Sequence, residues 1–172
     1  TTGTISIKRN TLTNLASHAS INSTYITLDS GTCVFEDNTV IYGGVAFTAN
    51  GTAVTSVKRN FLRSSVTNIG TNHGTINVVN CADGCEISHN VIVLDEDGGP
   101  NGVYGIFTWD VSVGPYGQNV PNLQIFNNTV YATTPTPGYV EGISIGQAND
   151  PLIGVDLYDN IVVGCTIGYN DL

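Results

Sequence analysis

The sequence predicts an all-β solenoid of about six coils with three parallel strands in each coil. Three observations lead to this fold class: one Asn recurs in a fixed frame, apolar positions repeat around it, and the composition disfavours helices. Of the 172 residues, 20 are Gly, none is Met, and only 11% are charged. Such a composition favours short strands and tight turns over helices.

Six segments of the chain align on one Asn. The aligned residues are Asn10, Asn38, Asn60, Asn90, Asn128 and Asn160, at intervals of 22 to 38 residues. Repeats of this period that contain strands indicate a solenoid. Because the interval varies while the motif stays, the length changes are expected in loops between fixed strands.

Two positions in the repeat are wholly apolar. Three residues before the Asn stand Ile7, Phe35, Val57, Ile87, Ile125 and Leu157, and two residues after it stand Leu12, Val40, Leu62, Ile92, Val130 and Val162. We expect both columns to point into the core, since side chains alternate along a strand. Each Asn is expected to stack on the Asn of the next coil and to adopt the left-handed backbone of a sharp bend.

The rest of each coil is predicted to be a short strand, a variable loop and another strand. These later strands are predicted at Tyr25–Leu28, Val45–Thr48, Thr75–Val79, Val103–Trp109 and Glu141–Ile145. The longest turn is expected at Val111–Asn122, and Thr166–Leu172 is expected to stop in mid-pattern. An antiparallel sandwich also has many short strands, but it would not explain an Asn that recurs in one frame.

Through the six x-I-x-x-N-x-[IVL] copies, the chain resembles the right-handed parallel β-helix repeat proteins of the pectate-lyase-like group. That group includes polysaccharide lyases, some glycoside hydrolases and epimerases, and phage tailspikes. The resemblance implies one right-handed parallel β-helix domain over residues 1–172. This domain is expected to be uncapped, because neither end of the sequence shows an amphipathic helix or a run of charges. The resemblance implies little about activity, because the repeated residues are structural. Whether the chain is an enzyme stays open, with a polysaccharide lyase or glycoside hydrolase as the implied class.

The net charge of the chain limits the classes of binding partner that it can have. The formal net charge of −9 argues against nucleic acid, which requires basic patches. No apolar run is long enough to span a membrane. Both observations fit an extracellular, cell-surface or virion-associated protein.

The few basic residues are predicted to form two ladders of alternating charge. One ladder contains Lys8, Glu36 and Lys58, and the other contains Arg9, Asp37 and Arg59. Exposed pairs of this kind stabilise by a fraction of about 1 kcal/mol, but they help to fix the order of stacking. Only Arg63 is left for other work, which weakens the lyase interpretation.

An acidic and aromatic segment is the candidate site. Asp95, Glu96, Asp97 and Asp110 are weak candidates for catalysis, and Asp95 and Asp97 are weak candidates for Ca²⁺ ligands; no other cofactor is expected. Trp109, Phe107, Tyr116 and Asn101 are the candidate substrate-binding residues. If Tyr104 to Trp109 aligns with Glu141 to Gly146, Phe107 and Trp109 face outward, where aromatic rings can stack on sugars. Alternatively, Trp109 lies under the Val111–Asn122 loop and the carboxylates form a solvated turn.

Two alternatives remain open for the cysteines and for function. Cys81 and Cys85 either close a small disulfide or are two thiols. The leading function is a carbohydrate-binding module, within a polysaccharide-degrading enzyme or tailspike. The alternative is a structural solenoid, such as an adhesin, a surface-layer element or a filament subunit. The chain is expected to be a piece of a larger β-helix protein or a unit that stacks end to end or side by side as a homo-oligomer.

Overall fold

The computed structural model describes residues 3–13, 22–28, 30–42, 44–49, 54–64, 74–79, 84–95, 103–109, 118–133, 140–146 and 152–171. All regular structure in these ranges is β. The strands are β1 (Thr4–Lys8), β2 (Thr11–Thr13), β3 (Asn22–Leu28), β4 (Thr32–Glu36), β5 (Thr39–Ile41), β6 (Gly44–Ala49), β7 (Val54–Lys58), β8 (Phe61–Ser64), β9 (Gly74–Val79), β10 (Glu86–Ser88), β11 (Val91–Leu94), β12 (Val103–Trp109), β13 (Gln118–Phe126), β14 (Thr129–Ala132), β15 (Val140–Ile145), β16 (Leu152–Tyr158), β17 (Ile161–Val163) and β18 (Ile167–Asp171).

The strands form three parallel sheets. Sheet A runs β1-β4-β7-β10-β13-β16, sheet B runs β2-β5-β8-β11-β14-β17, and sheet C runs β3-β6-β9-β12-β15-β18. Each sheet takes every third strand, so the chain visits the three sheets in turn and stacks on itself. This arrangement is a parallel β-solenoid, as predicted, and the antiparallel sandwich is excluded. The right-handed winding and the number of coils stay predictions.

The two apolar columns lie in register and face the core. Ile7, Phe35 and Val57 are neighbours across sheet A, and the pairing continues through Ile87 and Ile125. Phe35, Val57, Ile87 and Ile125 are buried. In sheet B, Val40, Leu62, Ile92 and Val130 are likewise buried. The predicted inward direction of both columns is therefore confirmed, although Leu157, in the last strand of sheet A, is 36% exposed.

The six Asn residues form a continuous hydrogen-bonded ladder. From Asn10 onward, each Asn donates its backbone N–H and its side-chain Nδ2 to the Oδ1 of the next Asn, at 2.9 to 3.1 Å. Each Asn from Asn38 to Asn160 also donates Nδ2 to a backbone oxygen of the preceding coil, at 2.8 to 3.0 Å. The predicted stacking is thus confirmed.

The left-handed bend belongs to the residue before the Asn. Arg9, Asp37, Arg59, His89, Asn127 and Asp159 have φ between 53° and 57°. None of the six ladder Asn residues is among the described residues with positive φ. The expectation that the Asn itself adopts this conformation was wrong. The Asn amide forms the hydrogen bonds of the ladder, and the residue before the Asn adopts the left-handed conformation of the bend.

One predicted boundary was also wrong. β13 begins at Gln118, so the second part of the expected turn Val111–Asn122 is strand; residues 111–117 lie outside the described ranges. The last segment, Thr166–Leu172, contains β18, which pairs in parallel with β15. Both segments are extended because a neighbouring strand supplies backbone partners, which local sequence does not reveal.

The predicted charge ladders form only in part, since no ion pair joins Arg9 to Asp37 or Lys58 to Glu36 among the described residues. Lys8 Nζ lies 3.1 Å from Glu36, and Arg59 contacts Glu36 at 3.0 Å and Asp37 at 2.8 Å. Lys58 instead pairs with Glu86 on the following strand of sheet A. Oppositely charged side chains on adjacent strands therefore support the stacking order, as predicted.

The three described cysteine side chains lie in the core or pack against it. Cys33 and Cys85 are buried thiols, and Cys165 is a half-buried one. Thr55, which lies in register between Cys33 and Cys85, donates its backbone N–H to Cys85 Sγ at 3.3 Å. Cys81 lies outside the described residues, but the thiol at Cys85 favours the two-thiol alternative over the disulfide.

Candidate functional site

The outward side of sheet B carries a strip of apolar and aromatic side chains. We call it the sheet B face; its residues are Phe61, Arg63, Val91, Val93, Tyr131, Ile161 and Val163. They occupy the outward positions of β8, β11, β14 and β17, because the alternating Leu62, Ile92 and Val130 fill the core. Parallel pairing places them in two columns, Phe61–Val91–Thr129–Ile161 and Arg63–Val93–Tyr131–Val163.

This strip is accessible to solvent. Its exposed apolar side chains range from 37% exposure at Phe61 to 58% at Ile161, with Tyr131 at 45%. Single exposed apolar residues are ordinary in proteins, but a contiguous set in register over four neighbouring strands indicates an interaction surface.

A polar group borders the strip. Arg63 Nε donates to Asp95 Oδ2, and Thr133 Oγ1 donates to Asp95 Oδ1 at 3.0 Å. Asp95 and Thr133 follow β11 and β14 directly, so the ends of two adjacent strands bring them together. The hydrogen bond and the negative charge of Asp95 raise the pKa of the Arg63 guanidinium. The expectation that Arg63 is free was therefore wrong, since it forms an ion pair with a predicted site residue.

The ion pair also bears on the roles predicted for Asp95. Both of its carboxylate oxygens accept hydrogen bonds, and a guanidinium already balances its charge. A Ca²⁺ ligand needs oxygens that are available to the metal, so Asp95 is better suited to orient Arg63 than to hold calcium. Its catalytic role stays a prediction.

The outward side of sheet C holds Phe107. Tyr104 pairs with Glu141 and Phe107 with Ser144, which confirms the predicted alignment of these two strands. Phe107 is outside the core cluster and packs on Tyr104, with ring centroids 5.0 Å apart. Its side chain is nevertheless only 1% exposed, so the expectation of an open stacking platform was wrong for this ring. Substrate binding by Phe107 stays a prediction.

The other predicted site residues are only partly placed. Trp109 pairs with Val79 through its backbone in sheet C, and its side chain is not described. Glu96, Asp97, Asn101, Asp110 and Tyr116 lie outside the described residues. Within the described ranges, no group of three or more His, Cys, Asp or Glu side chains is arranged to hold a metal ion.

Two notable residues were missed from the sequence. Tyr131 stands between the inward Val130 and Ala132, so strand alternation could have marked it as an outward aromatic residue. Glu141 is only 1% exposed, and its Oε1 accepts a hydrogen bond from Asn170 Nδ2 at 2.9 Å. The sequence carries no signal for it, because a single Glu on a strand is ordinary until its burial is known.

The fold and the two outward surfaces define a class: an all-β parallel solenoid with an internal Asn ladder. No protein family, curated protein or solved structure matches the chain. Among the residues placed in the structure, no helix is long and apolar enough to cross a membrane. Function is therefore inferred from the arrangement of the chain's own side chains.

Proposed function

We propose that this protein is a carbohydrate-binding β-solenoid module and that the sheet B face contacts the glycan. The observation that supports this function is an exposed apolar and aromatic strip beside the ion-paired Arg63 and Asp95. A sugar ring has an apolar face and a rim of hydroxyls. Aromatic and aliphatic side chains suit the face, and charged hydrogen-bonding groups suit the rim.

The dimensions of the strip favour an extended chain over a single sugar. Neighbouring strands of a sheet lie about 4.8 Å apart, so Phe61 on β8 and Tyr131 on β14 are separated by about 10 Å along the stack. The strip continues to Ile161 on β17. An elongated ligand can contact several strands at once, and many weak contacts then add.

The proposed setting is extracellular, on a cell surface or on a virion. The low charged fraction of 11% and the net charge of −9 support it only as general properties. A catalytic reaction is not part of this proposal, because the residues of the sheet B face include no carboxylate, and Asp95 at its border is already paired with Arg63.

The proposal is tested with Tyr131→Ala and Arg63→Ala on a panel of soluble polysaccharides, by affinity electrophoresis. We expect each substitution to weaken binding about tenfold, which corresponds to the loss of about 1.4 kcal/mol. Tyr158→Ala is the matched control: Tyr158 is 43% exposed but lies on sheet A, stacked on Phe126 with centroids 4.9 Å apart.

Two results would contradict the proposal. In the first, the unsubstituted protein binds no polysaccharide in the panel. In the second, Tyr131→Ala and Tyr158→Ala weaken binding equally, which would show that the sheet B face is not special. Circular dichroism of each variant separates lost binding from lost folding.

A structural solenoid is the second candidate, and the directional Asn ladder favours it. Every rung donates in one direction, from Asn10 towards Asn160, so a further coil of the same kind can continue the pattern at either end. Such a coil can belong to a second copy or to a longer chain. Sedimentation velocity over a range of concentrations tests self-assembly: growth of the mass without glycan binding supports this candidate, and a constant monomer mass contradicts it.

A further inference from the structure

The carboxyl group of Glu141 is buried and only half satisfied. Glu141 lies on the outward side of β15, because a Cβ on the adjacent Gly142 would point at the core-packed Val162. It is 1% exposed and accepts one hydrogen bond, from Asn170 Nδ2 at 2.9 Å, through Oε1. Its second oxygen, Oε2, has no hydrogen-bond partner among the described residues. A buried carboxylate with an unsatisfied oxygen destabilises a fold unless something balances its charge.

The chain has no basic side chain on this sheet. Its five Lys and Arg residues are Lys8, Arg9, Lys58, Arg59 and Arg63, which lie in or next to β1, β7 and β8 of sheets A and B. Because β15 belongs to sheet C, none of these residues shares a sheet with Glu141. None of the Lys and Arg side chains of this protein is therefore placed on the same sheet to balance the charge of Glu141.

A second buried oxygen points to the cation. Ser144 is fully buried, and its Oγ has no hydrogen-bond partner among the described residues. Ser144 is in register with Asn170, the residue that holds Glu141. Both unsatisfied oxygens thus belong to side chains next to Asn170, which donates to Glu141 and lies in register with Ser144.

The pKa of Tyr104 depends on the charge of Glu141. Tyr104 is in register with Glu141 on the neighbouring strand β12. Burial, and then the negative charge of Glu141, raise the pKa of the Tyr104 hydroxyl. The Tyr104 hydroxyl therefore lies close enough to the Glu141 carboxyl to respond to its charge.

We propose that the outward side of β15 holds an oxygen-preferring metal cation, bound through Glu141 Oε2 and Ser144 Oγ, that stabilises the stacking of β12, β15 and β18. Calcium suits such a site because it takes carboxylate and hydroxyl or carbonyl oxygens together with water. With a single carboxylate, the expected dissociation constant is about 1 mM, in the range of weak extracellular calcium sites. This site is on a different sheet from the proposed glycan surface and does not depend on it.

The test measures the thermal midpoint of the chelator-treated protein with and without CaCl2 at constant ionic strength. At about 10 mM calcium we expect the midpoint to rise by about 4 °C. Glu141→Gln, which keeps the shape and removes the charge, should abolish this rise, and Ser144→Ala should reduce it. Glu86→Gln is the control: Lys58 and Ser88 already bond the Glu86 carboxylate, so the calcium shift should remain.

Direct binding gives a second readout that does not depend on stability. Isothermal titration with CaCl2 should show saturable binding to the unsubstituted protein and to Glu86→Gln, and none to Glu141→Gln. The proposal is overturned if neither calcium, magnesium nor sodium shifts the midpoint of the unsubstituted protein. It is equally overturned if Glu141→Gln keeps the shift.

Discussion

Asn128 Oδ1 accepts two hydrogen bonds from Asn90, one from its backbone N–H at 3.1 Å and one from its Nδ2 at 2.9 Å. Asn90 Nδ2 also donates to the backbone oxygen of Val57 at 2.9 Å, and Asn90 Oδ1 accepts from Asn60. One buried amide thereby ties three coils together at the bend between sheets A and B. If one coil shifted by one residue, the hydrogen bonds from its Asn to the Asn residues of both neighbouring coils would break. The ladder therefore fixes the register of the strands.

Replacing Asn90 with Ala is expected to lower the free energy of unfolding by about 2–4 kcal/mol, measured by urea denaturation. The Asn60 N–H and the Val57 carbonyl would lose partners in a buried place, at about 1–3 kcal/mol each. Asn10→Ala is the control and should cost less than about 1 kcal/mol, because Asn10 is exposed and its backbone N–H still reaches Asn38. If the two variants lose the same free energy of unfolding, burial does not determine how much a rung of the Asn ladder contributes to stability.

Gly105 is expected to tolerate no side chain. A Cβ there would lie 2.6 Å from the Gly142 backbone oxygen and 2.6 Å from Val130 Cγ1. Since backbone cannot yield as a side chain can, Gly105→Ala should lower the thermal midpoint markedly, with overpacking worth about 1–3 kcal/mol. Gly168→Ala is the matched control in the same sheet, where a Cβ meets nothing within 4 Å. A midpoint for Gly105→Ala that matches the control would show that the two strands separate easily.

The Glu86 carboxyl makes stability depend on pH. Burial alone would raise its pKa, but hydrogen bonds from Lys58 and Ser88 and the Lys58 charge outweigh burial and hold the pKa below its ordinary 4.5. A lowered pKa contributes stability that is present above pH 4.5 and is lost as the pH falls through the folded-state pKa. The stability advantage of the unsubstituted protein over Glu86→Gln should therefore shrink on acidification, as followed by urea titrations at several pH values. An advantage that is constant or grows in acid would contradict this assignment.

The Cys33 thiol is expected to be inert in the folded protein. Burial raises its pKa to about 11, so hardly any reactive thiolate exists at pH 8. Alkylation by iodoacetamide, followed by peptide mass analysis, should modify Cys33 slowly in native protein and rapidly in urea. Rapid native labelling would show that the sheet A core opens often.

The repeat could be predicted because its period is local. The apolar residues Ile87 and Ile92 and the intervening Asn90 recur in every copy, and a period of two fixes which side chains face the core. The alternation of sheets follows from repetition alone, since identical coils can only stack in parallel. The pairing of Tyr104 with Glu141 was predicted for the same reason.

The candidate sites could be predicted only in part, because they depend on contacts between distant segments. Asp95 was recognised as a carboxylate, but its ion pair with Arg63 spans 32 residues of sequence. The sequence suggested that Phe107 faces outward, yet whether an outward ring is exposed depends on what packs around it. Glu141 was not predicted as a site residue, because a single Glu on a strand is ordinary until its burial is known.

By itself, the sequence determined the register of this protein: an Asn in a fixed frame between apolar positions leaves each strand one way to stack. Tertiary structure alone decided which residue takes the left-handed bend, which outward face is open, and which carboxyl is buried with one oxygen that has no hydrogen-bond partner among the described residues. The physical reason is that hydrogen-bond satisfaction, exposure and charge balance are sums over neighbours from several coils. Residues such as Asn170 and Glu141, 29 positions apart, become partners only after stacking.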